Sequence, residues 1–348
     1  AYRLEMGASQ QTDEWLRMGV SSVEAFRDLF QSDGSYEEEV QYANYTAIHL
    51  LQAAIVADRH GPRPLYDIIN WEGLSNFLLN MSMPTAADPY EVVNFGDSGN
   101  NSFNSSTRTA LPYWIAARSG GGTAKWLADN RAGNHNMWSV IWYDDSLESN
   151  GPIDRPTMWL SDLDRIVART GWSSDDTVDG FRSGPPANHE HADRNSILLT
   201  AFGQKLITDP LRPPYRYSDP AWTMRLTQGH SAVLIDGKGH EHHNGVEGTN
   251  ASQSFARIKE YGSADSYCWW RSIATQPYRL VDVDIKNVVR SVVFLYDENV
   301  ALIADFVDKY ERESVVTVRF FGDNSDGQYR REQSDDGFIV RRPGALLK

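Results

Sequence analysis

A single cysteine, Cys268, stands in the whole chain, which excludes an intrachain disulfide and any cysteine-built metal centre. No apolar run reaches the roughly eighteen residues of a membrane-spanning helix, so none is expected. The first residues, AYRLEMGASQ, lack the basic and apolar regions of a secretory leader. Positive charge is also scarce: 33 Lys and Arg face 47 Asp and Glu, a net charge of −14. That balance argues against general binding to nucleic acid or anionic membranes. Internal repeats and low-complexity tracts are missing as well.

What remains is 348 residues, enough for two domains with separate cores. Residues 1–149 read as helical. Apolar residues from Trp15 to Leu29 recur at helical spacing. A second helix is expected after the break at Asp33-Gly34, with Ser35 and Glu38 as a capping box and Gly61 as its stop. It would carry Tyr42, Tyr45 and His49 along one face. Further helices are expected over 65–81 and 106–119, joined by a polar loop at 94–101. That loop contains Gly-Asp-Ser-Gly, but its helical surroundings speak against a serine nucleophile and leave a cleft-lining loop or merely a turn rich in Gly and Asn. Of the tryptophans, Trp71, Trp114, Trp138 and Trp142 are candidates to stack on sugars, core packing being the commoner use.

Residues 144–156 are linker-like. Residues 150–348 then change to strand periodicity, with strands expected at 165–169, 231–235, 288–296, 300–305 and 314–321 and a turn at 297–299. Short strands between turn residues predict a large antiparallel sandwich.

The stretch from Asn188 to Gly237 holds most of the chemistry. His189, His191, Asp193 and Asn195 alternate, which predicts one face of an extended strand. An apolar run to Phe202, a turn at Gly203-Gln204 and a return strand ending at Asp209 follow, and His230 opens a later strand. His191, Asp209 and His230 are therefore candidate metal ligands, with Asp193 in reserve. Two neutral imidazoles and a carboxylate suit Zn²⁺, held for a structural purpose. Register matters, because a regular two-residue hairpin loop places Asp209 opposite an even-numbered position, on the wrong face. An odd loop or a bulge is thus expected. Neither His189-Glu-His191 nor the His-Glu-His-His-Asn run at 240–244 has the four-residue histidine spacing of a zinc protease. Between Gly180 and His230, Arg182, Arg194, Lys205, Arg212, Arg216 and Arg225 outnumber Glu190, Asp193, Asp209 and Asp219, as an anion-binding cleft requires.

These elements in this order are His189-Glu-His191-Ala-Asp193, Gly203, Asp209-Pro210, Tyr215-Arg-Tyr217, and His230 with Asp236-Gly237. The pattern resembles the C-terminal β-domain of the heparinase II/III-like polysaccharide lyases. Asp33-Gly34-Ser35, Glu39 and Tyr42 match a helix of that family's toroid. The resemblance implies an α+β multidomain protein: the C-terminal part of an incomplete (α/α) toroid over 1–149, then the β-sandwich over 150–348. No counterpart of the family's upstream Asn/His motif is found, so the chain is expected to begin inside the toroid.

By the same resemblance the reaction is β-elimination at a uronic acid, with Tyr42 and His189 as the acid–base pair. Tyr217 or Tyr215 shares that role. A tyrosine base needs a cationic neighbourhood, and Arg212 and Arg216 would supply it or grip the substrate carboxylate. Asn188 is counted with them as substrate-binding. The implied partner is an anionic polysaccharide such as alginate or a glycosaminoglycan, in a periplasmic or secreted setting, and a homo-oligomer is left open. The rival readings are a non-catalytic carbohydrate-binding protein on the same scaffold and a metal-dependent glycan hydrolase.

Overall fold

A computed structural model describes residues 9–60, 65–97, 110–133, 135–210, 212–216, 218–240 and 255–348. Helices come first: α1 (Gln10–Arg27), α2 (Glu39–His60), α3 (Trp71–Asn80), α4 (Ala110–Ser119), α5 (Gly122–Arg131) and α6 (Met137–Trp142). Ser9 caps α1 through a reciprocal capping box with Thr12. Asn70 caps α3 by accepting from the Gly73 N–H at 2.8 Å.

The box expected at Ser35 and Glu38 does not form. Asp33 takes the Ser35 hydroxyl at 2.6 Å, and Glu38 turns to His189. The helix begins at Glu39, three residues beyond the start that box implies; Glu39 has φ +66°, and Arg165 holds its carboxylate at 2.7 Å with both groups buried. Gly34 has φ +84°, and a β-carbon there would lie 2.0 Å from the Gly73 carbonyl carbon. Only glycine allows that approach. The Asp33-Gly34-Ser35 motif is thus a structural turn, and Asp33 also accepts the Asp162 N–H across to the strand region.

Strands follow: β1 (Thr157–Leu160), β2 (Arg165–Arg169), β3 (Val178–Arg182), β4 (Ile197–Ala201), β5 (Gln204–Ile207) and β6 (Val233–Ile235). After these come β7 (Arg257–Ser263), β8 (Tyr267–Ile273), the short α7 (Thr275–Arg279), β9 (Ile285–Leu295), β10 (Val300–Lys309) and β11 (Val316–Val318). The last are β12 (Arg330–Ser334), β13 (Gly337–Arg342) and β14 (Ala345–Leu347). The chain is therefore α+β, and the described strand pairs are antiparallel.

Strands β1 to β5 form one sheet in sequence order, and β10-β9-β8-β7 form another. Alternation along the strands splits the first sheet's side chains. Val167, Val178 and Leu198 join a core with Leu51, Leu74, Phe77 and Ile115 of the helices. Ile166, Ala168 and Phe181 face the second sheet and meet Cys268, Trp270, Val292 and Phe294. One sheet is thus packed between helices and a second sheet. Truncating a side chain as buried as Phe181 typically costs about 3–5 kcal/mol.

The β4–β5 hairpin turns on Phe202 and Gly203, both in the left-handed region, which is the geometry of a two-residue loop with primed twist. Ala201 pairs with Gln204 and Thr200 with Lys205, but Leu199 then pairs with Ile207. A bulge adds one residue and corrects the parity, so the odd loop is absent and its alternative is present.

The strand expected over His189–Asn195 is also absent. His189 and Asn195 have φ of +53° and +66°, and the chain coils between β3 and β4. Two carboxylates of this coil pair with buried arginines instead of standing on a strand ladder. Arg182 holds Asp193 at 2.7 Å, and Arg194 holds Glu190.

Candidate active site and metal pocket

Three segments separated in the chain meet beside this coil. His191 comes from the coil, Asp209 from just beyond β5, and His230 from the end of the 3-10 turn Thr227–Gly229. All three are buried. One ligand atom from each lies within 4.8 Å of the others, and the two imidazole rings are 5.1 Å apart. His230 Nδ1 and Asp209 Oδ2 are 2.8 Å apart. Among the described residues, His191 Nδ1, His230 Nε2 and Asp209 Oδ1 have no hydrogen-bond partner. Buried polar atoms are seldom left so, and two imidazoles with a carboxylate form a donor set a divalent cation accepts. The residues therefore fit a metal. Asp193, the reserve ligand, is instead engaged by Arg182 and Arg194.

Charge in this pocket is set by its pairings. Burial pushes the His191 imidazole below its ordinary pKa, opposed only in part by Asp97. Burial acts the same way on His230, but the Asp209 carboxylate outweighs it and raises His230. Burial would lift the Asp97 carboxyl, yet its bonds with His191 and Arg225 hold it below the usual carboxylate range.

Asp97 was not singled out in the sequence. It lies in the Gly-Asp-Ser-Gly loop, of which 98–101 fall outside the described residues. Its Oδ1 is 2.9 Å from His191 Nε2, and its Oδ2 accepts from Arg225 at 2.5 Å. The Asp97 N–H donates to the His189 carbonyl at 2.9 Å. Gly96, with φ +78°, permits this, since a β-carbon there would sit 2.7 Å from that same carbonyl oxygen.

A second group lies next to the pocket. Tyr42, from the first turn of α2, stacks on His189 with ring centroids 4.1 Å apart and planes 10° from parallel. Its hydroxyl is 3.0 Å from that of Tyr215. His189 Nδ1 is 2.9 Å from Glu38 Oε2. An ionised carboxylate only accepts, so Nδ1 carries the hydrogen, and in the neutral imidazole Nε2 is the nitrogen with the lone pair. Burial, the bond to Tyr42 and the Asp97 charge all push the Tyr215 phenol above its ordinary value, which keeps it protonated. Arg225 and Arg212 lie over the Tyr215 ring, at 4.9 and 5.5 Å.

The structure therefore brings together Tyr42, His189, Tyr215, His191, Asp209 and His230. Tyr217 lies outside the described residues. Arg212 is exposed; burial pulls its pKa down, but the neighbouring Tyr215 and Tyr42 hydroxyls together outweigh that and raise it. Arg216 is exposed and Asn188 half-buried. The basic surplus of 180–230 is not an open patch: Arg182, Arg194 and Arg225 are buried against carboxylates, and Lys205 pairs with Glu91. Trp71 and Trp114 belong to the helical core, whereas Trp138 and Trp142 stack at 5.3 Å and line, with Trp114, a groove of about 640 Å³ along α2. Of the 240–244 run only His240 is described, and its Nε2 accepts the Arg194 N–H.

Residues 169–345 match the family described as heparinase II/III-like, C-terminal. Among solved structures, the chain is similar to a heparan sulfate lyase, HepC, from Pedobacter heparinus, in a mutant form, at 17% identity and a TM-score of 0.62, over 95% of this chain and 49% of that one. It is similar to a heparinase III at 13% identity and a TM-score of 0.68, covering 95% and 48%. A further heparinase III gene product aligns at 18% identity and a TM-score of 0.65, over 95% and 47%. The chain thus spans about half the length of these structures. No curated protein matches it in sequence.

Proposed function

Because the chain belongs to the heparinase II/III-like family, we propose that it is the C-terminal part of a lyase that cleaves uronate-bearing polysaccharide by β-elimination. The observation that carries this reading is the stacked Tyr42–His189 pair, with Tyr215 in hydrogen-bond reach, next to a buried His-Asp-His pocket.

The elimination breaks the C5–H and C4–O4 bonds and forms a C4=C5 double bond. His189 Nε2 takes the C5 proton, with Glu38 fixing the tautomer from the other side of the ring. The Tyr42 hydroxyl gives its proton to the departing O4, and the protonated Tyr215 donates a hydrogen bond to the Tyr42 oxygen as charge builds there. Arg212, exposed beside both hydroxyls, binds the substrate carboxylate and offsets its charge, with Asn188 and Arg216 at the edge of the site. Tyr217 is left as the alternative to Tyr215.

His191, Asp209 and His230 would hold Zn²⁺. When bound, the ion supplies cross-linking of three chain segments, since elimination consumes no water for it to activate. The helices up to Trp142 are read as part of an (α/α) toroid over 1–149, and 150–348 as the family's β-sandwich. The substrate class is a glycosaminoglycan, as the neighbours' names indicate for those proteins, with alginate as the alternative, met in a periplasmic or secreted setting.

The test is to offer the protein a panel of uronate polymers while following ultraviolet absorbance and reducing ends together. A lyase raises both in step. Reducing ends without the unsaturated chromophore mean hydrolysis, and binding without either means a carbohydrate-binding protein.

A further inference from the structure

Asp97 bridges groups of the site that come from separate segments of the chain. Its two carboxylate oxygens go to different functional groups: Oδ1 to the imidazole of His191 and Oδ2 to the guanidinium of Arg225. Arg225 in turn lies over the Tyr215 ring, and the Asp97 charge is one of those that raise the Tyr215 phenol. Its N–H fixes the backbone of His189. Both the carboxylate and the His191 ring are inaccessible to solvent, so neither partner has water as a substitute.

We propose that Asp97 is a positioning residue that couples the metal pocket to Tyr215. His191 has one buried nitrogen without a partner, Nδ1, and that atom faces no competitor for a cation. A cation on Nδ1 requires the ring hydrogen on Nε2, where Asp97 accepts it. Acceptance by a carboxylate raises the basicity of the ligand imidazole and fixes its ring plane. The same carboxylate sets where Arg225 sits, and Arg225 sets the face on which Tyr215 rests. Metal occupancy therefore orders Asp97, and Asp97 orders the phenol 3.0 Å from Tyr42. Loop 94–97 belongs to the helical half while His191, Arg225 and Tyr215 belong to the other, so one carboxylate joins both halves at the site. The part concerning Tyr215's use in catalysis rests on the lyase reading; the coupling itself does not.

The experiment follows metal affinity and Tyr215 separately. Zn²⁺ affinity is measured by competition with a chromogenic chelator, and Tyr215 by the NMR resonance of its ring carbon in protein labelled with ¹³C-tyrosine, assigned with Tyr215→Phe. In the unsubstituted protein, Zn²⁺ shifts the Tyr215 resonance. Asp97→Asn, with all three ligands intact, lowers Zn²⁺ affinity about 10- to 100-fold, and at saturating Zn²⁺ its Tyr215 resonance stays at the metal-free position. Asp97→Glu recovers part of both. Should Asp97→Asn fail to fold because the buried Asp97–Arg225 pair is lost, Asp97→Asn with Arg225→Gln is read the same way. A Tyr215 resonance indifferent to Zn²⁺ in the unsubstituted protein, or unchanged Zn²⁺ affinity in the variant, overturns the proposal. If both metal results hold while no uronate polymer is cleaved, the lyase reading fails and the role of Asp97 stands.

Discussion

The hydroxyls of Tyr42 and Tyr215 lie 3.0 Å apart although 173 positions separate them in the chain. One belongs to the first turn of α2 and the other to the segment after β5, so the contact exists only when the helical and β parts are docked. A chemical role for either phenol depends on that docking.

Replacing Tyr42 by Phe keeps the stacked ring on His189 and removes the proton donor. The expected result is a kcat lower by about 100- to 10,000-fold with a melting temperature close to the parent's. Tyr215→Phe removes only the supporting hydrogen bond, worth about 1 kcal/mol, and should cost roughly fivefold to tenfold. Initial rates of chromophore release with circular-dichroism melts check both.

Glu38 acts through His189. Glu38→Gln keeps the shape but can present either end of its amide to Nδ1, so the tautomer is no longer fixed. A charge-assisted bond of about 1.5–3 kcal/mol is weakened, and kcat should fall about 10- to 100-fold with KM little changed. Full steady-state curves on one polymer decide it. A loss confined to KM would make Glu38 a substrate-binding residue instead.

Metal binding should appear in the melting curve without reference to activity. A ligand that binds only the folded state stabilises it by about 2.7 kcal/mol at one hundred times its Kd. Zn²⁺ added after exhaustive chelation should raise the melting temperature of the parent protein, and should leave His230→Ala unmoved. Equal shifts in both would place the ion elsewhere.

Asp179 predicts the pH dependence of stability. It is fully buried in β3 on the face toward the second sheet, and among the described residues neither of its carboxylate oxygens has a hydrogen-bond partner. Burial pushes its pKa up to about 7, against a smaller pull from Arg290. A folded-state value above the unfolded one of about 3.9 means that the folded protein holds the proton more tightly. The contribution is therefore full below about pH 4 and is lost as pH rises through about 7. Urea unfolding should show stability falling between pH 5 and pH 8, and Asp179→Asn should remove much of that slope. Glu91, raised to about 7 chiefly by burial, leaves a residual slope of the same sign.

The His191-Asp209-His230 cluster was legible because its parts are residue types that seldom sit in apolar surroundings without a reason: His191, Asp209 before a proline, and His230 at the head of an apolar run. Tyr42 and His189 were legible only as pieces of a family pattern. Polar alternation imitates a strand over 189–195, where the backbone coils. The Arg182–Asp193 and Arg194–Glu190 pairs that make a coil of 183–196 depend on burial, which spacing does not encode. Ser35 and Glu38 have the spacing of a capping box, but Asp33 and His189 compete for them more effectively. Asp97 was hidden for the same reason as Arg225. Its partners lie 94 and 128 positions away, and nothing near it in sequence marks them.

The central claim is that bonds are broken here by elimination, without water. Depolymerisation carried out in ¹⁸O-labelled water, with the new chain ends read by mass spectrometry, tests this most directly. Elimination yields unsaturated ends lacking the heavy isotope, released about 100- to 10,000-fold more slowly by Tyr42→Phe. Saturated ends carrying one ¹⁸O per broken bond would contradict it.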